Sequence, residues 1–287
     1  TRAEAPPRRD AISTAVDPVM LEIFNNLYMS IAEQMGLRLA NTACSVNIKE
    51  RLDFSCAVFD QHGRLIANAP HMPVHLGSMG ESIRAVISAN SAENGGSGIR
   101  PGDVYMLNTP YNGGTHLPDI TVITPAFDER GKAILFYVGS RAHHADIGGT
   151  SAGSMPPDSR VLEEEGVLID NFLLLAQGRL RETETIALLS SGKYPCRNVA
   201  QNLADLRAMV AANDKGVQEL RAMVAHFGLG VVHANMQHVQ DNAEESVRRA
   251  IDALDDGEFA YAMDNGAVIR VAIRVDKRRR SAIIDFT

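Results

Sequence analysis

Three segments with the pattern of β-strands, 103–108, 120–127 and 133–140, follow one another with only loops between them. A doubly wound parallel sheet needs a helical crossover after each strand, so this succession argues against one and for an α+β fold of mixed sheets with packed helices. The flanking elements agree. "FSCAVFD" and "RLIANA" bracket Gln61-His62-Gly63 as a hairpin. Asp17-Pro18 reads as an N-cap followed by a first-turn proline. From there Met20, Ile23, Phe24, Leu27, Ile31, Met35 and Leu39 recur at steps of three and four, predicting an amphipathic helix about 25 residues long. Further helices are expected over 76–90, 181–192, Leu203 to Val224, and Val231 to Leu254. Strand patterns close the chain at Val268–Asp276 and Ser281–Thr287. The expected organisation is a disordered lead (1–16), an α/β unit (17–195), and a helical pair leading into a second, incomplete sheet (196–287). A chain that stops inside a strand pattern is expected to be a fragment or part of a longer subunit.

Composition narrows the function. The apolar content of 45% and charged content of 22% suit a soluble globular chain. A net charge of -7 speaks against nucleic-acid binding. The basic run Lys277-Arg278-Arg279-Arg280 reads as a solvated hairpin turn. No apolar stretch approaches the roughly 20 residues of a membrane span. Cys44, Cys56 and Cys196 are odd in number and lack CxxC spacing, which points to a reducing, cytoplasmic setting. Cys56, inside an apolar strand, reads as a buried inert thiol.

The chemistry-bearing residues gather around the strand loops. "LNTPYNGGTHLPDITVITP" (107–125) carries His116 and Asp119, and "SRAHHADIGG" (140–149) carries His143, His144 and Asp146. Imidazole and carboxylate together suit zinc, manganese or iron, although loop residues of these types also serve plain backbone hydrogen bonding. His143 and His144, as neighbours in an extended segment, cannot both face one site. Gly113-Gly114 and Gly148-Gly149 permit close approach of a ligand to the backbone. Neither stretch is a nucleotide-binding glycine loop, so an ATP site, if the function needs one, is expected on another chain. His71 and His75 in "PHMPVHLG" read as site-lining or plain loop residues; Pro73 rules out a helix interior there. His226, His233 and His238 read as surface or helix-packing residues, and Arg51 and Asp53 as a structural ion pair. Ser55, Ser140 and Ser154 lack a nucleophile-elbow sequence.

"KERLDFSCAVFD", "NTPYNGGTHLPDITVITP" and "SRAHHADIGGTSAGSMPP" together resemble the hydantoinase B/oxoprolinase family, over Asp17 to Thr287. The resemblance implies a B-type chain working with a hydantoinase A-type subunit that binds ATP and phosphorylates the substrate oxygen. The B-type chain then opens a cyclic amide (a hydantoin, 5-oxoproline or related lactam) by metal-assisted hydrolysis. In the related ketone carboxylases it carboxylates instead, and a scaffold that has lost catalysis is a third possibility. A divalent metal (Zn, Mn or Fe) is implied at His116, Asp119 and His143. His144 and Asp146 become candidates for proton transfer, and His71, His75, Gly148 and Gly149 for substrate binding. A hetero-oligomer is expected.

Overall fold

The computed structural model describes residues 13–68, 72–75 and 77–287. Its first helix, α1 (Pro18–Thr42), starts where the cap signal places it: the Asp17 carboxylate accepts hydrogen bonds from the Val19 and Met20 amides at 2.8 and 3.4 Å. The buried line along α1 runs through Phe24, Tyr28, Ile31, Met35 and Leu39. Ile23, expected on that line, lies on the solvent flank at 42% exposure. A short helix, α2 (Val46–Lys49), leads into β1 (Phe54–Phe59) and β2 (Leu65–Asn68), the anticipated hairpin. Then follow α3 (Met79–Ala89), β3 (Val104–Leu107), β4 (Asp119–Phe127) and β5 (Ile134–His143). A short hairpin, β6 (Phe172–Ala176) and β7 (Arg179–Leu180), is succeeded by α4 (Glu182–Leu189) and two long helices, α5 (Val199–Phe227) and α6 (Leu229–Ala253). The chain closes with β8 (Gly257–Ala262), β9 (Val268–Asp276) and β10 (Ser281–Asp285).

Strands β1 to β7 form one sheet in the order β2-β1-β5-β4-β3-β6-β7, and every adjacent pair is antiparallel. This is an α+β architecture with antiparallel sheets, as the succession of strands implied. The two faces of the sheet carry different layers because strand side chains alternate. Phe54, Cys56, Val58, Ile120, Val122, Phe136 and Val138 point into a core shared with α1, α5 and α6. Ala57, Phe59, Tyr105, Leu107, Ile123 and Tyr137 point the other way, onto Met79, Ile83 and Val86 of α3. One face is thickly covered and the other is roofed by a single helix.

The expected division at 195/196 runs through the larger core. Leu206, Met209 and Leu220 of α5, and Val232 and Met236 of α6, share it with α1 and the sheet. Burial of Cys56 raises its thiol pKa far above the ordinary value, in keeping with an inert role. His233 contacts the Leu135 carbonyl of β5 at 3.2 Å, packing α6 on the sheet, and His238 makes an exposed contact with the Thr14 carbonyl at 3.0 Å. The basic run does form the β9–β10 turn. It is also tied down: Arg280 pairs with Glu245 and Asp252 of α6 at 3.1 and 2.9 Å. The three-stranded sheet β10-β9-β8 leaves Phe259, Tyr261, Ile283 and Ile284 exposed.

Phe24 packs its ring, tilted, against Tyr28 of its own helix and Phe227 at the end of α5, with ring centroids 5.8 and 4.9 Å apart. Phe24→Ala should cost about 3–5 kcal/mol. In chemical denaturation followed by far-UV circular dichroism, one transition should shift to lower denaturant. A second transition left in place would show that α5 and the sheet unfold independently.

Candidate metal centre

The centre is assembled by strand register. Across the β4–β5 pair Asp119 stands opposite His143, and Thr121 opposite Arg141. Across β1–β5, Ser55 stands opposite Arg141. Residues directly opposite in an antiparallel pair share a face, so Asp119, Thr121, Arg141, His143 and Ser55 all project toward the α3 side. Strand β5 runs to His143, past the expected end at residue 140, because β1 pairs alongside it as far as Phe54–Ala142. His116 joins from the loop before β4, where a turn closes with the Asp119 amide donating to the His116 carbonyl at 3.0 Å.

One ligand atom each from His116, Asp119 and His143 can be chosen such that all lie within 4.8 Å of one another. His116 Nε2 lies 3.0 Å from Asp119 Oδ1, and His143 Nδ1 lies 3.2 Å from the same oxygen. Neither approach is aligned as an N–H···O hydrogen bond, and among the described residues the buried Asp119 Oδ1 has no hydrogen-bond partner. Two imidazole nitrogens and a carboxylate oxygen, crowded together yet not bonded to one another, form a donor set that fits a divalent cation. The opening faces outward: the His116 side chain is 39% exposed, against 13% for His143 and 5% for Asp119.

Asp119 is the electrostatic pivot. Burial pushes its carboxyl pKa up, but His116, His143 and His75 outweigh that and hold it far below the ordinary carboxylate range. Asp119 in turn raises the His116 imidazole above its usual value. Its other oxygen, Oδ2, is bonded to Thr115 Oγ1 at 3.1 Å and to His75 Nε2 at 3.2 Å. His75 is itself buried, with Nδ1 2.9 Å from Ser55 Oγ. It sits behind Asp119 and is 1% exposed. His71 lies outside the described residues.

Arg141 occupies the next row and is fully buried. Its guanidinium donates to Thr121 Oγ1 at 2.8 Å, Ser78 Oγ at 2.5 Å and Ser82 Oγ at 2.7 Å, and to the Gly113 carbonyl at 3.3 Å. Ser78 donates onward to the His75 carbonyl at 3.1 Å. Arg141 thereby ties the His75 segment, the N-terminal end of α3 and the loop bearing His116 to the sheet. Burial draws its pKa down to about 10, with the Asp119 carboxylate acting in the opposite sense, so it remains a cation at neutral pH. Gly113 is required in this loop: its φ is +87°, and a Cβ would lie 2.9 Å from the Glu81 carbonyl oxygen.

His144 turns to the opposite face, as strand alternation demands, and is wholly buried against α5. Asn202 Nδ2 contacts its Nδ1 at 3.2 Å, and burial holds the imidazole well below its usual pKa. It is neutral at pH 7 and shut away from the metal-side cluster. Asp146 is likewise no free base. Its oxygens accept from the amides of Gly148 and Arg197, both at 3.0 Å, and from the Arg197 guanidinium at 2.7 Å. The sequence offered Gly148 and Gly149 as ligand-approach positions, but here protein backbone approaches them. A Cβ on Gly148 would lie 2.2 Å from the Tyr194 carbonyl oxygen, and one on Gly149 2.7 Å from the Glu165 carbonyl. Asp53, read as a partner for Arg51, instead has His143 as its ionic neighbour, at 3.9 Å. Ser55, Thr115 and Arg141 went unassigned as site residues. The signal for two of them was a polar residue at an inward position of an otherwise apolar strand.

The profile of the family described as Hydantoinase B/oxoprolinase matches residues 17–287. The 5-oxoprolinase of Dictyostelium discoideum is 41% identical over 288 residues, covering 96% of this chain but 22% of that protein. The chain thus spans about a fifth of the length of such relatives. Among solved structures, an ATP-dependent caprolactamase from Pseudomonas jessenii superposes with a TM-score of 0.78 at 26% identity, over 94% of this chain and 46% of that one. A nucleotide-free acetone carboxylase shares the fold at 18% identity, with a TM-score of 0.80 over 94% of this chain and 37% of that one. Among the described residues no helix is long and apolar enough to cross a membrane. The chain belongs to the hydantoinase B/oxoprolinase family.

Proposed function

We propose that this chain is the part of an ATP-dependent cyclic-amide hydrolase that opens the activated ring of a hydantoin, 5-oxoproline or related lactam, with a divalent metal held by His116, Asp119 and His143. The observation that carries the reading is the convergence of those three donors around an Asp119 oxygen that no hydrogen bond satisfies among the described residues. Its support in substrate class is the 41% identity to a 5-oxoprolinase. A lactam carbonyl is a poor electrophile; phosphorylation of its oxygen makes that oxygen a leaving group. The phosphorylating, ATP-binding unit is of the hydantoinase A type, carried on the same longer polypeptide or on a separate subunit. A bound divalent ion would supply Lewis acidity and lower the pKa of water at the site. Asp53, part-exposed beside His143, is the carboxylate placed to accept a proton. The three free cysteines suit a reducing compartment such as the cytoplasm.

Two measurements test this. In the full protein, ADP release should depend on a cyclic amide and be indifferent to bicarbonate. Release that requires a ketone and bicarbonate would instead assign the carboxylase chemistry. Second, His116→Ala should abolish turnover and lower the metal content found by elemental analysis. Because the His116 side chain is part-exposed, the metal-free variant should keep the parent's far-UV circular dichroism spectrum. Unaltered metal content in that variant would overturn the ligand assignment.

A further inference from the structure

Asp119 is asymmetric: Oδ2 is bonded to Thr115 and His75, whereas Oδ1 faces the two other imidazoles and, among the described residues, accepts no hydrogen bond. A carboxylate accepts only, so His75 Nε2 must carry the proton directed at Oδ2. The Nδ1 of a neutral imidazole is then an acceptor, and Ser55 Oγ at 2.9 Å is the donor that fills it. The Ser55 hydroxyl has another acceptor, the Met72 carbonyl, at the longer distance of 3.5 Å. Ser55 and His75 are both buried, at 0% and 1% exposure, and Ser55 sits within β1. A nucleophilic serine would need an approach that this position lacks. What remains is a buried hydroxyl–imidazole–carboxylate chain ending on a metal-ligating group.

We infer that Ser55 and His75 are positioning residues for the metal centre: Ser55 fixes the His75 tautomer, and His75 fixes which Asp119 oxygen is left to ligate. The inference rests on the metal reading above. It assigns a physical role to a segment, His75 with the serine facing it, that is separated by 20 residues in sequence and meets only across the sheet face. Partners behind a ligand orient it and tune its basicity, and their loss lowers metal affinity by about 10–100-fold. The arrangement is also braced. Arg141 donates to Ser78, which donates to the His75 carbonyl, so the imidazole is held from its backbone as well as its ring.

The test is zinc and manganese affinity of the full chain by competition with a chromophoric chelator, alongside thermal melting of the metal-free protein. His75→Leu removes the donor to Oδ2 and should weaken binding by about 100-fold; Ser55→Ala, which leaves the imidazole in place but free to change tautomer, by about tenfold. His75→Gln places an amide N–H where Nε2 stood and should recover part of the loss. Metal-free melting of Ser55→Ala and His75→Gln should stay close to the parent, which separates positioning from general destabilisation. Affinities within twofold of the parent in Ser55→Ala and in His75→Leu, or in Ser55→Ala alone if His75→Leu does not fold, would overturn the inference. A parent protein that takes up neither metal would overturn the metal reading itself, and this inference with it.

Discussion

The pairing of β4 with β5 fixes the position of nearly every polar group on the α3 side. Asp119 opposite His143, and Thr121 opposite Arg141, are consecutive like-facing rows of one ladder, and Ser55 extends the second row onto β1. A slip of one residue would turn each of these side chains into the helical core and bring Ile120 and Ala142 outward. The register therefore needs strong specification, and the apolar alternation supplies it. Ile120, Val122, Phe136, Val138 and Ala142 are all fully or almost fully buried against the helices only in the observed pairing. The apolar core thereby determines where the polar site lies.

A buried cation and a buried anion lie in adjacent rows, and their surroundings resolve the cost differently. Desolvating either charge alone costs several kcal/mol. Asp119 is surrounded by three imidazoles and a hydroxyl, whereas among the described residues Arg141 has hydroxyls and one carbonyl and no carboxylate within bonding distance. The guanidinium fork makes this possible, since it distributes one charge over several donors in fixed directions. A lysine could not reach β4, Ser78 and Ser82 at once. Arg141 thus serves both as the bracket between loops and sheet and as a positive field near the Asp119 carboxylate.

Much of the fold was legible from local signals. The Asp17-Pro18 cap, the α1 periodicity, the β1–β2 hairpin and the three strands without crossover helices are all short-range patterns, and they correspond to observed elements. His116, Asp119 and His143 were legible as a candidate set from residue type and loop position, and the structure does bring them together. What local patterns could not give was partnership at a distance. His75 reaches Asp119 across 44 residues, and Arg141 reaches Ser78 across 63. Those meetings depend on which strands pair, which short segments do not encode. Glycines misled for a related reason: the conformational freedom of Gly148 and Gly149 admits any backbone, and here Tyr194 and Glu165 occupy the approach.

The two adjacent histidines show how polar contacts, as well as the larger core, cross the boundary expected at residue 195. At the end of β5, alternation sends His143 to the α3 side and His144 to the helical side. There Asn202 of α5 contacts the His144 ring and donates to the Asp146 carbonyl at 2.8 Å. One helical turn on, Asp205 accepts from the amides of Cys44 and Ser45 at 2.7 and 3.2 Å, where the chain leaves α1. The first turns of α5 therefore close polar groups at the end of β5 and the end of α1 at once. Loss of the Asp205 or Asn202 side chain with α5 still packed would leave the Cys44 and Ser45 amides, or the Asp146 carbonyl, without these partners, at a cost of about 1–3 kcal/mol for each buried group left unpaired. That penalty falls on the strand end carrying His143, so the helix layer and the metal-side geometry stand on the same few hydrogen bonds.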